Sequence, residues 1–317
     1  MSNVTITIIG VGAVGTSLGL ALKQLDDPPH LIGHDKNPDH TRQAMRLGAF
    51  DRADWNLIRA CESADLIILA IPAAGIRPTL EAIAAELKPD AVLSDTAQTK
   101  APIVRMAQSL LPDTVHFVGG NPIVSPAGSG PQHARADLFQ RTLYCLTPAP
   151  TVAPEAVKLL EDMVSLIGAT PFYLDPVEHD GMLGGVAGLP ALLSLALMRT
   201  LSDAPNWAEM RRLAGGLFEQ VSAGATGDPD SLAEAFVQDR ANTLRWLQTA
   251  LQTLQTLQKM VEGEEAEALA QWIEEAVTAR ARWQDDFAER RLSELAPKSE
   301  RVKKRSLLRE MFGFGRR

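Results

Sequence analysis

Cysteine is scarce in this chain: Cys61 and Cys145 are the only two in 317 residues. Both lie beside apolar stretches. Buried free thiols are therefore expected rather than a disulfide or a metal site, and the compartment expected is the reducing cytoplasm. No apolar run is read as reaching the ~18 residues of a membrane span. The N-terminus enters an apolar strand at once, so no secretory signal is expected. Basic charge is missing from most of the chain. The net charge is -8, yet Arg290 to Arg317 holds ten Lys/Arg against three Asp/Glu, so the remainder carries -15. An acidic body argues against nucleic-acid binding by the folded part. The basic end, 293–317, mixes its charges with Leu, Met and Phe and reads as a mobile tail of unknown partner.

What is present is alternation. Apolar runs at 4–10, 30–35, 64–72, 91–95, 115–120 and 143–148 read as strands, most of them continuous as in strands buried on both faces. Helical patterns at 13–25, 38–47, 76–87 and 100–110 lie between them, and a helix at 153–167 precedes a last strand at 171–175. This order predicts a Rossmann-like, doubly wound parallel sheet over residues 1–175. After Asp175 the strand signal stops. Leu189, Leu192, Leu193, Ala196 and Leu197 recur at helical spacing, as do Leu244, Leu247, Leu251 and Leu254. Residues 176–292 are expected to form an all-helical domain, with a loop at 222–231. Trp207, Trp246, Trp272 and Trp283 fall in its helices and suit core or dimer packing.

The segment "IIGVGAVGTSLG" places Gly10, Gly12 and Gly15 in G-x-G-x-x-G order between a strand and a helix. The first glycine permits a tight turn, the second lets a pyrophosphate approach the backbone, and the third lets helix and strand pack closely. Val14 belongs to the same turn. The helix N-terminus supplies free N–H groups for the phosphates. Asp35 stands 20 residues beyond Gly15, where a carboxylate binds both ribose hydroxyls. NAD is the expected cofactor; Lys36 beside Asp35 keeps NADP open. Ala70, Ile71 and Pro72 end the third of the predicted strands on the edge where ligands bind, so they are expected either to line the nicotinamide ribose or simply to end the strand at Pro72.

Two further motifs end the next strands: "SDTAQTK" (94–100) and "GGNPIVSP" (119–126). With "EHDGMLGGVAGLPALLSLAL" (178–197) behind them, residues 4–290 resemble the prephenate and arogenate dehydrogenases of tyrosine biosynthesis. The resemblance implies oxidation of a ring hydroxyl with NAD(P) while a ring carboxylate leaves as carbon dioxide. It also implies a helical domain that forms a homodimer. The matching positions are the glycine fingerprint, Asp35, Asp95, Lys100, Gly119, Gly120, Pro122, His179, Asp180, Leu189 and Pro190. The departures fall on the chemistry. Gln98 stands at the family's serine, Asn121 at its catalytic histidine, and Gly188 and Ala191 flank Leu189-Pro190 where the family has two histidines. The best local match puts Ser222 at the arginine that grips the substrate carboxylate.

By that resemblance Asn121, Gln98, Lys100 and His179 are the candidate catalytic residues, Lys100 holding a substrate anion or the cofactor. Asp95 is placed with the cofactor, and Gly119-Gly120 are expected to admit cofactor and substrate. Asparagine hydrogen-bonds a hydroxyl but takes no proton from it. His179, oriented by Asp180, is either a substitute base or half of a structural polar pair where the helices begin. Two functions follow: an NAD(P)-dependent oxidoreductase with a changed small-molecule substrate, or a nucleotide-binding dimer without redox turnover.

Overall fold

The computed structural model describes residues 4–227 and 229–295. It divides into two compact units, the first running through His179 and the second beginning at Asp180. The basic tail beyond Leu295 lies outside the described residues.

The first unit is an eight-stranded sheet in the order β3-β2-β1-β4-β5-β6-β7-β8. The strands are β1 (Thr5–Ile9), β2 (His30–His34), β3 (Arg52–Ala53), β4 (Leu66–Leu69), β5 (Val92–Asp95), β6 (His116–Pro122), β7 (Leu143–Pro148) and β8 (Thr170–Tyr173). Helices α1 (Ala13–Lys23), α2 (Pro38–Arg46), α3 (Leu57–Cys61), α4 (Ala73–Ile83), α5 (Ala101–Leu110) and α6 (Pro154–Leu166) connect them. The continuous apolar strands feed two cores, one per face. In β4, Leu66 and Ile68 join Leu18, Leu22, Leu160 and Met163 on one side. Ile67 and Leu69 join Ile76, Leu80, Ile103 and Val104 on the other. Alternate side chains of each strand thus serve opposite faces.

The sheet is not wholly parallel, which corrects the expectation from alternation. β6 and β7 pair antiparallel, with Asn121 opposite Cys145, and β8 follows β7 in parallel. The physical reason is the connection. Residues 123–142 hold only a short 3-10 turn at Pro131–His133, and a parallel return needs a crossover, usually a helix.

The second unit is helical throughout its described residues: the end of α7 (Pro176–Leu183), then α8 (Leu189–Ser202), α9 (Trp207–Met210), α10 (Gly216–Ser222), α11 (Pro229–Gln238), α12 (Arg240–Glu262) and α13 (Ala266–Leu295). A π turn, Gly184–Gly188, joins α7 to α8. Pro190 has no N–H to continue the ladder there, so the helix widens just before it. Gly184 and Gly185 let Trp246 close in: a Cβ on Gly185 would meet its ring at 2.6 Å. The indole then donates to the Gly181 carbonyl at 2.9 Å. From Pro176 to Ser202 the helix is long and apolar enough to cross a membrane by length and composition, which corrects the reading that no such stretch exists. Gly181 to Met198 carries no charge.

Candidate functional site

The carboxyl ends of β1, β2, β4, β5 and β6 meet along one edge of the sheet. Gly10 has φ +90°, and a Cβ there would lie 2.3 Å from the Ala70 carbonyl oxygen. The tight turn after β1 and the close approach of Ala70-Ile71 after β4 are therefore one constraint. A Cβ on Gly15 would lie 2.0 Å from the Gly10 oxygen, so the third glycine seats α1 on the strand. Val14 is half-buried on the first turn of α1, packed against the core of that face. At the end of β2, the Asp35 carboxylate accepts from the Val11 N–H at 2.9 Å and the Asn37 N–H at 2.8 Å. His40 Nδ1 stands 3.6 Å away. Carboxylate oxygens have lone pairs for further donors beyond these two. This turn, helix start and anchored acid fit a dinucleotide. Pro72 is exposed and caps α4 at its N-terminus.

Gly12 shows something the motif does not foretell. The atom facing its missing side chain is the Ser129 carbonyl oxygen, 2.7 Å from where a Cβ would sit. The same oxygen accepts from the Ala13 N–H at 2.8 Å. Ser129 belongs to the Gly- and Pro-rich stretch after β6, and that density of small residues is its only sequence signal.

The fourth- and fifth-strand motifs turn out to be two halves of one clamp. Asp95 and Lys100 are both fully buried and form an ion pair. Lys100 Nζ also donates to the Gly120 carbonyl at 2.7 Å, and the Gly120 N–H donates back to Asp95 at 3.1 Å. The Ala97 N–H completes the carboxylate's shell at 3.0 Å. Burial pushes the Asp95 carboxyl up, against the pull of Lys100 and of the two backbone donors. In this structure Lys100 is held by Asp95 and the Gly120 carbonyl, and the Asp95 carboxylate by Lys100 and the N–H groups of Gly120 and Ala97.

The Gly119-Gly120 pair packs against the same clamp. A Cβ on Gly119 would meet Thr147 Oγ1 at 2.3 Å and the Lys100 stem at 3.3 Å. One on Gly120 would meet the Asp95 carbonyl at 2.6 Å and Ser94 Oγ at 2.8 Å. What comes close to these glycines is the protein's own neighbouring strands. Tyr144 lies against Gly120 on β7, and burial with the nearby Asp95 charge pushes its phenol up.

Asn121 follows, almost fully buried. Its Nδ2 lies 3.1 Å from His179 Nε2. With the amide donating, the imidazole accepts through Nε2 and carries its proton on Nδ1. The structure thus brings together two candidates that stand 58 residues apart. Gln98 is exposed in the loop between β5 and α5. In the helical unit, Ser194 Oγ donates to the Val221 carbonyl at 2.6 Å, and a Cβ on Gly224 would touch Ala191 Cα at 3.4 Å. The segment carrying Ser222 therefore packs beside Ala191. Cys61 and Cys145 are buried free thiols, and burial pushes Cys61 up to about 12. Among the described residues no cluster of His, Cys, Asp and Glu is set to hold a metal.

Comparison with known proteins places this geometry. The family described as "Prephenate dehydrogenase, nucleotide-binding domain" matches residues 18–173, and "Prephenate dehydrogenase, dimerization domain" matches 175–275. Prephenate dehydrogenase of Bacillus subtilis is 27% identical over 274 residues, 86% of this chain and 74% of that protein. Cyclohexadienyl dehydrogenase of Zymomonas mobilis is 24% identical, covering 87% and 94% of the two chains. A crystal structure of Aquifex aeolicus prephenate dehydrogenase with hydroxyphenyl propionate and NAD+ superposes with TM-score 0.83 at 25% identity, over 89% of this chain and 99% of that one.

Proposed function

Because the chain belongs to the prephenate dehydrogenase family, we propose that it is an NAD-dependent oxidoreductase whose substrate end departs from that of its relatives. The observation that carries the cofactor reading is the β1–α1 turn, with Gly10 at positive φ, Gly15 seated on it and Asp35 anchored beside it. Gly10, Gly12, Val14 and Gly15 would hold the pyrophosphate, Asp35 the adenosine ribose, and Ala70, Ile71 and Pro72 the nicotinamide ribose. NAD, when bound, supplies the hydride acceptor. Asp35 disfavours a 2′-phosphate by charge repulsion, so NADH should bind roughly tenfold or more tighter than NADPH, about 1.4 kcal/mol. Fluorescence titration of both nucleotides tests this, with Gly12→Val as the control that loses binding. Equal affinity for the two would refute the NAD assignment, and a Gly12→Val protein binding NADH normally would refute the site.

The substrate end is read from the clamp and Asn121. Asp95 and Lys100 fix the Gly120 peptide and so set where Asn121 stands. Asn121 hydrogen-bonds a substrate hydroxyl, and His179 behind it, in contact with the Asn121 amide at 3.1 Å, is the titratable group nearest to it. The Ser222 and Ala191 positions supply neither a guanidinium nor an imidazole for a carboxylate. The substrate is then a small hydroxy compound that lacks prephenate's demand for such a grip. A second reading, nucleotide binding without turnover, draws on the same Asn121.

The active assembly is proposed as a homodimer through the helices, in the reducing cytoplasm. From Gly181 to Phe287 the described residues bury a single side chain, Ser194. Leu213, Leu217, Val186 and Leu251 are among the apolar groups left exposed. A helical unit with so little core of its own needs a partner surface, and the apolar stretch 176–202 is explained as part of that face. Light scattering at micromolar concentration should give twice the 34.2 kDa chain mass; a monomer would contradict the proposal.

A further inference from the structure

We propose that residues 124–130 form a strap that competes with the dinucleotide for the phosphate seat at the start of α1. The inference rests on the NAD reading above and goes beyond it. An Ala13 N–H that already gives its hydrogen to the Ser129 carbonyl cannot give it fully to a phosphate oxygen, and two electron-rich oxygens on one N–H repel each other. Gly12 sharpens the conflict. The space its missing side chain opens at the helix start is filled by the same carbonyl, at 2.7 Å from the would-be Cβ. The strap holds, with a peptide oxygen, the place where the fingerprint puts a phosphate.

The strap is built to move as a unit. The sheet ladder ends just before it, where the Ile123 N–H donates to the Leu143 carbonyl at 2.9 Å. Its far side is tied down where the Arg135 N–H donates to Ser17 Oγ on α1 at 2.9 Å. Between these anchors Gly128 admits the His133 ring, whose atoms lie 2.5 Å from a would-be Cβ. Displacing Ser129 therefore breaks none of the β6–β7 pairing that holds Asn121. When part of the population has the seat closed, the apparent affinity for nucleotide falls by the open fraction. A cofactor that must first lift the strap binds more weakly than the bare fingerprint would allow.

Two substitutions loosen the strap without touching the fingerprint. Gly128→Val drives a side chain into His133, and Ser17→Ala removes the acceptor for the Arg135 N–H. NADH fluorescence titration should show both variants binding roughly 3- to 10-fold tighter than the parent, the range corresponding to one net hydrogen bond. The gain should come through faster association, read by stopped flow, with thermal melts confirming that both variants are folded. Folded variants that bind NADH no tighter than the parent, or more weakly, would overturn the competing strap. Failure of the parent and both variants to bind NADH at all would instead refute the NAD reading on which it rests.

Discussion

Lys100→Met should lower folding stability by about 3–5 kcal/mol, the cost of leaving one partner of a buried ion pair without the other. Lys100 and Asp95 are both fully buried. Methionine fills much of the volume, so lost charge rather than lost packing dominates the expected effect. The pH dependence identifies the cause. Burial already pushes the Asp95 carboxyl up against the pull of Lys100, and removing the ammonium lets it rise further. The variant's native state then keeps a proton on Asp95 that the unfolded chain, near the ordinary value of about 3.9, has released. With more protons bound in the native state, stability falls as pH rises from about 4 toward the raised native value. Urea unfolding near pH 4.5 and at pH 7 should therefore show a larger deficit at pH 7. Asp95→Asn combined with Lys100→Met should recover much of the loss, since replacing both partners removes the unpaired charge. An undiminished midpoint in the single variant would mean that the clamp contributes nothing to the fold.

The glycine fingerprint was legible because its constraints are local. Gly10 needs a positive φ and Gly15 needs contact with the strand before it, and both needs are set within six residues. The same holds for the buried strands, whose unbroken apolar runs allow little else. The direction of β7 was harder to read, because a strand's apolar pattern is the same in either direction. Only the lack of a helical period in 123–142 marks the reversal. Two-residue β3 is too short for any pattern to show. Asp95, Lys100 and the Gly119-Gly120 pair were placed on the correct edge, but sequence position does not say whether a side chain points to a ligand or back into the sheet. Thr147, on a strand that returns from outside the motif, fills the space beside Gly119. Ser129 acts through its carbonyl, which every residue has, so no residue type announces it. In the helical unit the leucine periodicity showed the helices correctly. It could not show that Leu244, Leu251 and Leu254 stay exposed within one chain, because a core stripe and a dimer stripe have the same period.

Prephenate and arogenate should be poor substrates, with turnover held down by at least the ~10²–10⁴-fold that a general base contributes. On the proposed reading Asn121 takes the place of the family's histidine, and an amide has no proton-accepting capacity for an alcohol. The Asn121 amide is moreover engaged with His179 at 3.1 Å, so a restored imidazole at 121 would face a second ring rather than a free hydroxyl. The proposed reading also lacks the anion grip, at Ala191, Gly188 and Ser222, and groups that act as a unit are not recovered one at a time. A base also acts only on a hydroxyl held within its reach. The decisive measurement is steady-state NADH formation from NAD with each of the two compounds, for the parent and for Asn121→His. The altered substrate end predicts slow turnover by the parent and less than about a tenfold gain in the variant, short of the general-base range. Brisk turnover by the parent, or a rise into that ~10²–10⁴-fold range on restoring the histidine, would show that the pocket still recognises the family's substrate and would contradict the account.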